Sequence, residues 1–241
     1  MTAVRPRYLP LPSQDSPESG RLILRDGTTA TLRLSQMSDK ETMVRFFASL
    51  SQESKFHRFF SVSQPSDRSV DSFCDNTDPH IRLTLIVTRL VEGELHIIAA
   101  GSYAAHDQTT AEVAMAGNDK FQGKGIGTLL LERLALLAVM NGFQRFWAVT
   151  MAENKSMLDV FRNSGFELHT KANDGYVEID LSVIPSEASV TRAEMRDRIS
   201  TTASLRSFFQ PRSVAVVGAS RNPASIGGRF INALVTRGFQ G

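Results

Sequence analysis

Two neighbouring features of the chain could do chemistry: a carboxylate, Glu112, and a glycine-punctuated loop, Phe121-Gln122-Gly123-Lys124-Gly125-Ile126-Gly127-Thr128. Glycines at 123, 125 and 127 let the backbone approach a ligand without side-chain obstruction. The loop opens the apolar-periodic segment Leu129 to Met140, which predicts a helix. A loop entering a helix aims unpaired N–H groups and the positive end of the dipole at one point, and that point suits a phosphate. The spacing is not the dinucleotide fingerprint G-x-G-x-x-G, and no Lys-Ser/Thr pair closes a Walker loop. Lys124 either adds a charge to the site or is a solvated loop lysine.

Glu112 stands in Ala111-Glu112-Val113-Ala114-Met115, a strand-like run just before the loop. Its apolar flanks predict a carboxyl pKa raised toward the range useful to a general base at neutral pH. Asp107 and Glu153 are weaker candidates for that role and read rather as loop charges. The histidines at 57, 80, 96, 106 and 169 show no metal-ligand spacing, so no metal is expected. The single cysteine, Cys74, rules out an internal disulfide, suits a reducing cytoplasm and reads as a small buried apolar residue.

The elements that must position these groups follow from composition and pattern. With 241 residues, 41% hydrophobic and 22% charged, the chain fits one fair-sized domain with extensions. A formal net charge of +2 gives no argument for nucleic acid, and no apolar run approaches membrane-spanning length. The expectation is a cytoplasmic protein that binds neither nucleic acid nor membrane. Residues 1–19, with Pro6, Pro10, Pro12 and Pro17, read as a flexible tail. Leu22-Ile23-Leu24, Asp26-Gly27 and Thr31 to Leu34 predict a hairpin. Ser38-Asp39-Lys40-Glu41 predicts a capping box that starts a helix through Phe46 and Leu50.

A short helix over Ser69 to Phe73 and strands over 82–90, 96–102 and 110–116 lead to the loop. Leu130, Leu134, Leu137 and Ala138 form a buried helical stripe that ends at Gly142. Strand Phe146–Thr150, helix Asn154–Ser164 and a strand pair around Asn173-Asp174-Gly175 complete a mixed α/β layer with a largely antiparallel sheet. Residues 184–207, polar and helical in character, read as a linker. Ser213 to Ser220 predicts a buried strand and a turn that begin a second unit over 208–241.

Gln122, Gly125 and Gly127 form Gln-x-x-Gly-x-Gly, which resembles the pyrophosphate loop of the GCN5-related N-acetyltransferase (GNAT) family. A second stretch, Asn154, Met157, Phe161, Gly165 and Phe166, resembles that family's pantetheine-side helix, and the likeness spans residues 21–182. The resemblance implies an α/β (α+β) GNAT fold and acetyl-CoA as acyl donor, its diphosphate on the N–H groups of Gln122, Gly123, Lys124, Gly125, Ile126, Gly127 and Thr128. It implies that the strand edge at Met115 meets the pantetheine amides and supplies an oxyanion donor, and that the helix carrying Asn154 and Phe161 lies along the CoA arm. Asn154 equally suits a plain N-cap.

Acyl transfer to a lysine must overcome an amine pKa of about 10.4, a gap of about 4.6 kcal/mol at pH 7 unless a base takes the proton. Glu112 is the expected base, in a place that resembles the catalytic glutamate of bacterial protein lysine acetyltransferases. Many family members carry a tyrosine general acid where this chain has Phe161, so that side chain supplies no proton to the leaving thiolate. Residues 208–228 resemble the CoA-binding start of NDP-forming acyl-CoA synthetases, which makes the chain the expected N-terminal part of a longer protein. Together these imply a protein lysine acetyltransferase acting on an AMP-forming acyl-CoA synthetase. Small-molecule amine acetylation and a non-catalytic acyl-CoA sensor stay open.

Overall fold

The computed structural model describes Ser16 and residues 18–239. Most of the proline-rich segment expected as a tail lies outside the described residues. One eight-stranded sheet runs in the spatial order β1 (Ser19–Ile23), β2 (Thr29–Leu34), β3 (Arg82–Val91), β4 (Glu94–Ala105), β5 (Thr110–Gly117), β6 (Arg145–Met151), β8 (Tyr176–Ser182), β7 (Leu168–Asn173). Every neighbouring pair is antiparallel except β5 with β6. The helices are α1 (Lys40–Ser49), α2 (Gln52–Phe59), α3 (Asp67–Cys74), α4 (Ile126–Met140), α5 (Lys155–Ser164), α6 (Glu187–Phe209) and α7 (Ile226–Thr236).

Helices cover both faces of the sheet, and the strands show it. Leu83 to Thr88 of β3 are all buried, an unbroken run that needs cover on each side. Alternation sorts the side chains: Leu85, Val87, Val113 and Met115 join the core under α4 and α5, while Ile86, Ile97, Ala100 and Ala116 join Met43, Phe46, Phe47, Val70 and Cys74 of α1 and α3. Burial pushes the Cys74 thiol up, as befits a small core residue. The expected stripe of α4 is buried, and Leu131 and Ala135 are buried with it.

The expected hairpin forms between β1 and β2, with Asp26 accepting the Thr28 N–H at 3.0 Å. The expected capping box at Ser38 does not form. A 3-10 turn, Met37–Asp39, precedes α1, and the Asp39 carboxylate accepts the Gln36 N–H at 2.9 Å while pairing with Arg33 at 2.6 Å. Arg33 holds the Asp39 carboxyl below its ordinary range, and that charge-assisted fork outcompetes a serine cap.

The stretch read as a linker is the 23-residue helix α6, and it lies against the domain. Arg192 and Arg196 donate to the carbonyls of Arg162 and Asn163 at 2.6 and 2.8 Å, at the C-terminal end of α5 where cations are favoured. Arg196 also pairs with Glu132 of α4. Residues 213–217, expected as a strand, pair with no strand among the described residues, and Val217 is 99% exposed. The buried strand predicted there has no neighbour to bury it.

Gly165 ends α5 at φ +85°, and a Cβ there would come within 2.9 Å of Ser189 Cα in α6. Gly165→Ala is expected to lower the unfolding free energy by about 1–3 kcal/mol, from left-handed strain plus the clash. Gly123→Ala, at φ +74° but with nothing within 4 Å, should cost only about 1–2 kcal/mol. Urea midpoints of the two variants would check the order.

Candidate active site

The glycine loop is built as a nest of donors. Gly123 and Gly125 sit at φ +74° and +81°, in the left-handed region that excludes most side chains. Gly125 is the N-cap of α4, with no side-chain cap and no acidic residue in the first turn. Among the described residues, none of the N–H groups of residues 123–128 finds a protein acceptor. Gly127 has another role: a Cβ there would meet Val160 Cγ2 at 2.8 Å, so its absence lets α5 approach α4. Ile126 and Thr128 turn their side chains into the interior and contribute backbone alone.

Two side chains that the sequence offered to a ligand are tied to the protein. Lys124 Nζ pairs with Asp26 Oδ2 at 2.7 Å. Burial pushes the Asp26 carboxyl up, but hydrogen bonds from Lys124 and Thr28 outweigh it and hold the group down at about 2. Gln122 Nε2 donates to Asp119 Oδ1 at 3.2 Å. Asp119 also accepts from the Ser51 N–H and hydroxyl and from Ser54, which fastens the start of α2 beside the loop. Those bonds hold its carboxyl below the usual range against the opposing effect of burial.

The sheet opens next to this loop. β5 and β6 pair only at Thr110↔Arg145, Ala111↔Phe146 and Glu112↔Trp147; residues 113–117 and 148–151 then continue without pairing to each other. A cavity of about 460 Å³ lies in the gap, lined by Glu112, Val113, Ala114, Met115, Trp147 to Thr150, Met157, Phe161, Tyr176 and, from α2 and its end, His57, Arg58 and Phe60. A second cavity, of about 680 Å³, runs from the glycine loop past Asn154 and shares His57, Arg58, Met115 and Met157 with the first. The two form one cleft from the donor nest to Glu112.

Glu112 lines that cleft, but its apolar sequence neighbours do not surround it. Ala111 and Val113 turn to the core on the opposite face, and Glu112 is exposed. The apolar shelter expected from its flanks is therefore missing. Arg58 shares its cavity, and the Glu112 charge acts on that guanidinium. Met115 is buried and lines both cavities, and Phe161 is buried in the cavity wall with no proton to give.

Asn154 is the N-cap of α5: its Oδ1 accepts from the Met157 N–H at 3.1 Å and the Ser156 hydroxyl at 3.0 Å, and its Nδ2 donates to Thr150 at 3.1 Å. These bonds commit most of the side chain to holding α5 beside the cleft. Sequence reasoning missed Arg58, Trp147 and Tyr176. The available signal was a cation set among Phe56, Phe59 and Phe60. Among the described residues no group of three or more His, Cys, Asp or Glu is placed to hold a metal, and no helix is long and apolar enough to cross a membrane.

A profile of the acetyltransferase (GNAT) family matches residues 47–166, from the last turn of α1 through the loop to just past the end of α5. The acetyltransferase Pat of Mycolicibacterium smegmatis is 27% identical over 176 residues, 73% of this chain and 52% of that protein, so the chain spans about half the length of that relative. The crystal structure of the GNAT domain of S. lividans PAT shares 30% identity at a TM-score of 0.61, over 68% of this chain and 96% of that one. A cAMP-binding acyltransferase from Mycobacterium smegmatis shares 25% identity at a TM-score of 0.50, over 80% of this chain and 56% of its own. With the matched residues building the donor nest, the parted strands and both walls of the cleft, the chain belongs to the GNAT family of acetyltransferases.

Proposed function

We propose that the chain is an acetyl-CoA-dependent N-acetyltransferase acting on a lysine of a partner protein, with an AMP-forming acyl-CoA synthetase as the target and the cytoplasm as its place of action. The observation that carries the reading is the line from unpartnered N–H groups at 123–128 to Glu112 along one cleft. A CoA diphosphate suits the donor nest, because a helix-terminal dipole worth only about 0.3–1 kcal/mol on an exposed anion acts there together with several N–H donors. The pantetheine amides would pair with the open edge of β5 at residues 113–117, which has lost β6 as a partner. That threading brings the thioester to Met115, where the two cavities join.

The acceptor enters from the other end, past Phe60 and Tyr176, whose rings pack against each other with centroids 5.7 Å apart. An aromatic mouth suits the methylene stem and ammonium head of a lysine. Glu112 takes the ammonium proton, directly or through one water, which offsets the gap of about 4.6 kcal/mol between amine and medium at pH 7. The neutral nitrogen attacks the thioester carbon, and a strand N–H near Met115 stabilises the oxyanion. As the C–N bond forms, the C–S bond breaks. Phe161 supplies no proton, so the thiolate leaves unassisted or takes one from water; a thiol pKa near 8.5 makes that tolerable.

Glu112→Gln is expected to lower kcat on a lysine peptide by about 10²–10⁴-fold at pH 7, with part of the loss recovered at high pH as the free amine deprotonates. Its acetyl-CoA affinity should stay within about twofold. Undiminished turnover in the variant would remove Glu112 from the base role. Binding of acetyl-CoA by the wild type without transfer to any lysine would favour a sensor instead. Asp26→Asn should release Lys124 toward the loop and tighten CoA binding by about two- to fivefold at low salt, an effect that fades as salt is added. Calorimetric titration at two ionic strengths reads it.

A further inference from the structure

Arg58 is a cation held inside the cleft, close enough to feel the Glu112 charge but in ion-pair contact with no carboxylate among the described residues. Its guanidinium carbon lies 5.1 Å from the centre of the Phe59 ring and 5.3 Å from that of Phe73. Among the described residues its guanidinium donates to Ser102 Oγ at 3.3 Å. It makes no ion pair among the described residues. Burial pushes the guanidinium down to about 10, with Glu112 acting in the opposite sense, so it stays charged at neutral pH. A guanidinium has five donors, and these are not sealed in protein as those of Arg196 are. The space they reach is the cleft, since Arg58 lines both of its cavities.

A half-buried guanidinium with open donors is a carboxylate site: the planar fork matches two oxygens, and the pair offsets the desolvation that the cation alone has already suffered. Its position says which carboxylate. Arg58, Met115 and Met157 stand where the loop-side cavity meets the Glu112-side cavity, which is where donor and acceptor must touch. On the reading that the cleft takes an acyl-CoA, the group at that junction is the acyl chain. An acetyl methyl offers Arg58 nothing.

We propose that Arg58 recognises the distal carboxylate of a short dicarboxylic acyl group, so that the cleft accepts succinyl-CoA as a donor in addition to acetyl-CoA. The transfer step balances as for acetyl: the amine nitrogen bonds to the thioester carbon, the C–S bond breaks, Glu112 receives the proton and CoA leaves as thiolate. The distal carboxylate is carried through unchanged on the acylated lysine. Arg58 here is a specificity residue, and the chemistry stays with Glu112.

The test is calorimetric titration of the full chain with acetyl-CoA and with succinyl-CoA, acceptor absent, for the wild type, Arg58→Gln and Arg58→Lys. Trp147, the chain's single tryptophan and part of the cavity wall, gives a second readout by fluorescence. The ratio of dissociation constants, succinyl over acetyl, is expected to rise about 10–100-fold in Arg58→Gln, with a smaller rise in Arg58→Lys. Acetyl-CoA binding by the same variants reports that they fold. If wild type binds both thioesters and the ratio does not move, the role of Arg58 is overturned while the acyl-CoA reading stands. If wild type binds neither, both fall. If the ratio is unmoved and Arg58→Gln instead loses turnover only on acceptor peptides bearing a nearby carboxylate, the anion belongs to the acceptor and the proposal is overturned.

Discussion

The parting of β5 from β6 beyond Glu112 and Trp147 is the constraint on which the rest of the molecule depends. Backbone donors and acceptors in the middle of a sheet are ordinarily satisfied by the next strand, and leaving them open costs free energy. Here β4 still holds β5 over Ala105↔Ala111 to Ala99↔Gly117, and β8 holds β6 along its length. Each strand is therefore fixed on its outer side and open on its inner side. The only parallel pair in the sheet is the one that opens, and parallel pairing is the slightly weaker kind. A rigid wedge of unpaired backbone results, ready for an amide-bearing chain.

Helices finish the wedge. α4 enters at its mouth with a first turn free of side-chain caps, and α5 flanks it, anchored by Asn154. The absent Cβ of Gly127 sets the distance between these two helices, and Gly165 sets the distance from α5 to α6. A ligand held at the loop thus sits on elements whose spacing is fixed by close backbone contact rather than by flexible side chains. Asp119 adds the third wall by tying Ser51 and Ser54 of the α2 start to the same loop. The electrostatics are local: Lys124 is balanced by Asp26, so most of the pull on an anion comes from the backbone.

The chain announced much of this. Glycines at fixed spacing before an apolar helix, and an asparagine opening the next helix, were readable because each reflects local backbone geometry. The alternation of β5 was readable too, but its consequence was not: neighbours in sequence point to opposite faces, so Ala111 and Val113 could not shelter Glu112. Arg58 and Tyr176 escaped because they reach the cleft from elements far apart in sequence, and no local pattern marks a residue that faces across a gap. The α1 start was misassigned for a related reason, since Arg33 on β2 gives Asp39 a stronger partner than any residue within its own turn.

The helix α6 shows why composition misleads at such places. A polar segment reads as solvated when its charges are imagined in water, and Arg192 and Arg196 looked like linker residues. Their guanidinium groups instead meet the last carbonyls of α5, acceptors that any helix leaves unsatisfied at its end. The demand comes from α5 and the supply from residues some thirty positions later, so neither segment alone discloses the match. Gly165 makes the match possible: only a residue without a Cβ both ends α5 in the left-handed region and lets Ser189 approach closely enough for those arginines to reach. The stretch that reads as a linker is thereby part of the scaffold that holds Asn154, Phe161 and the wall of the cleft in place.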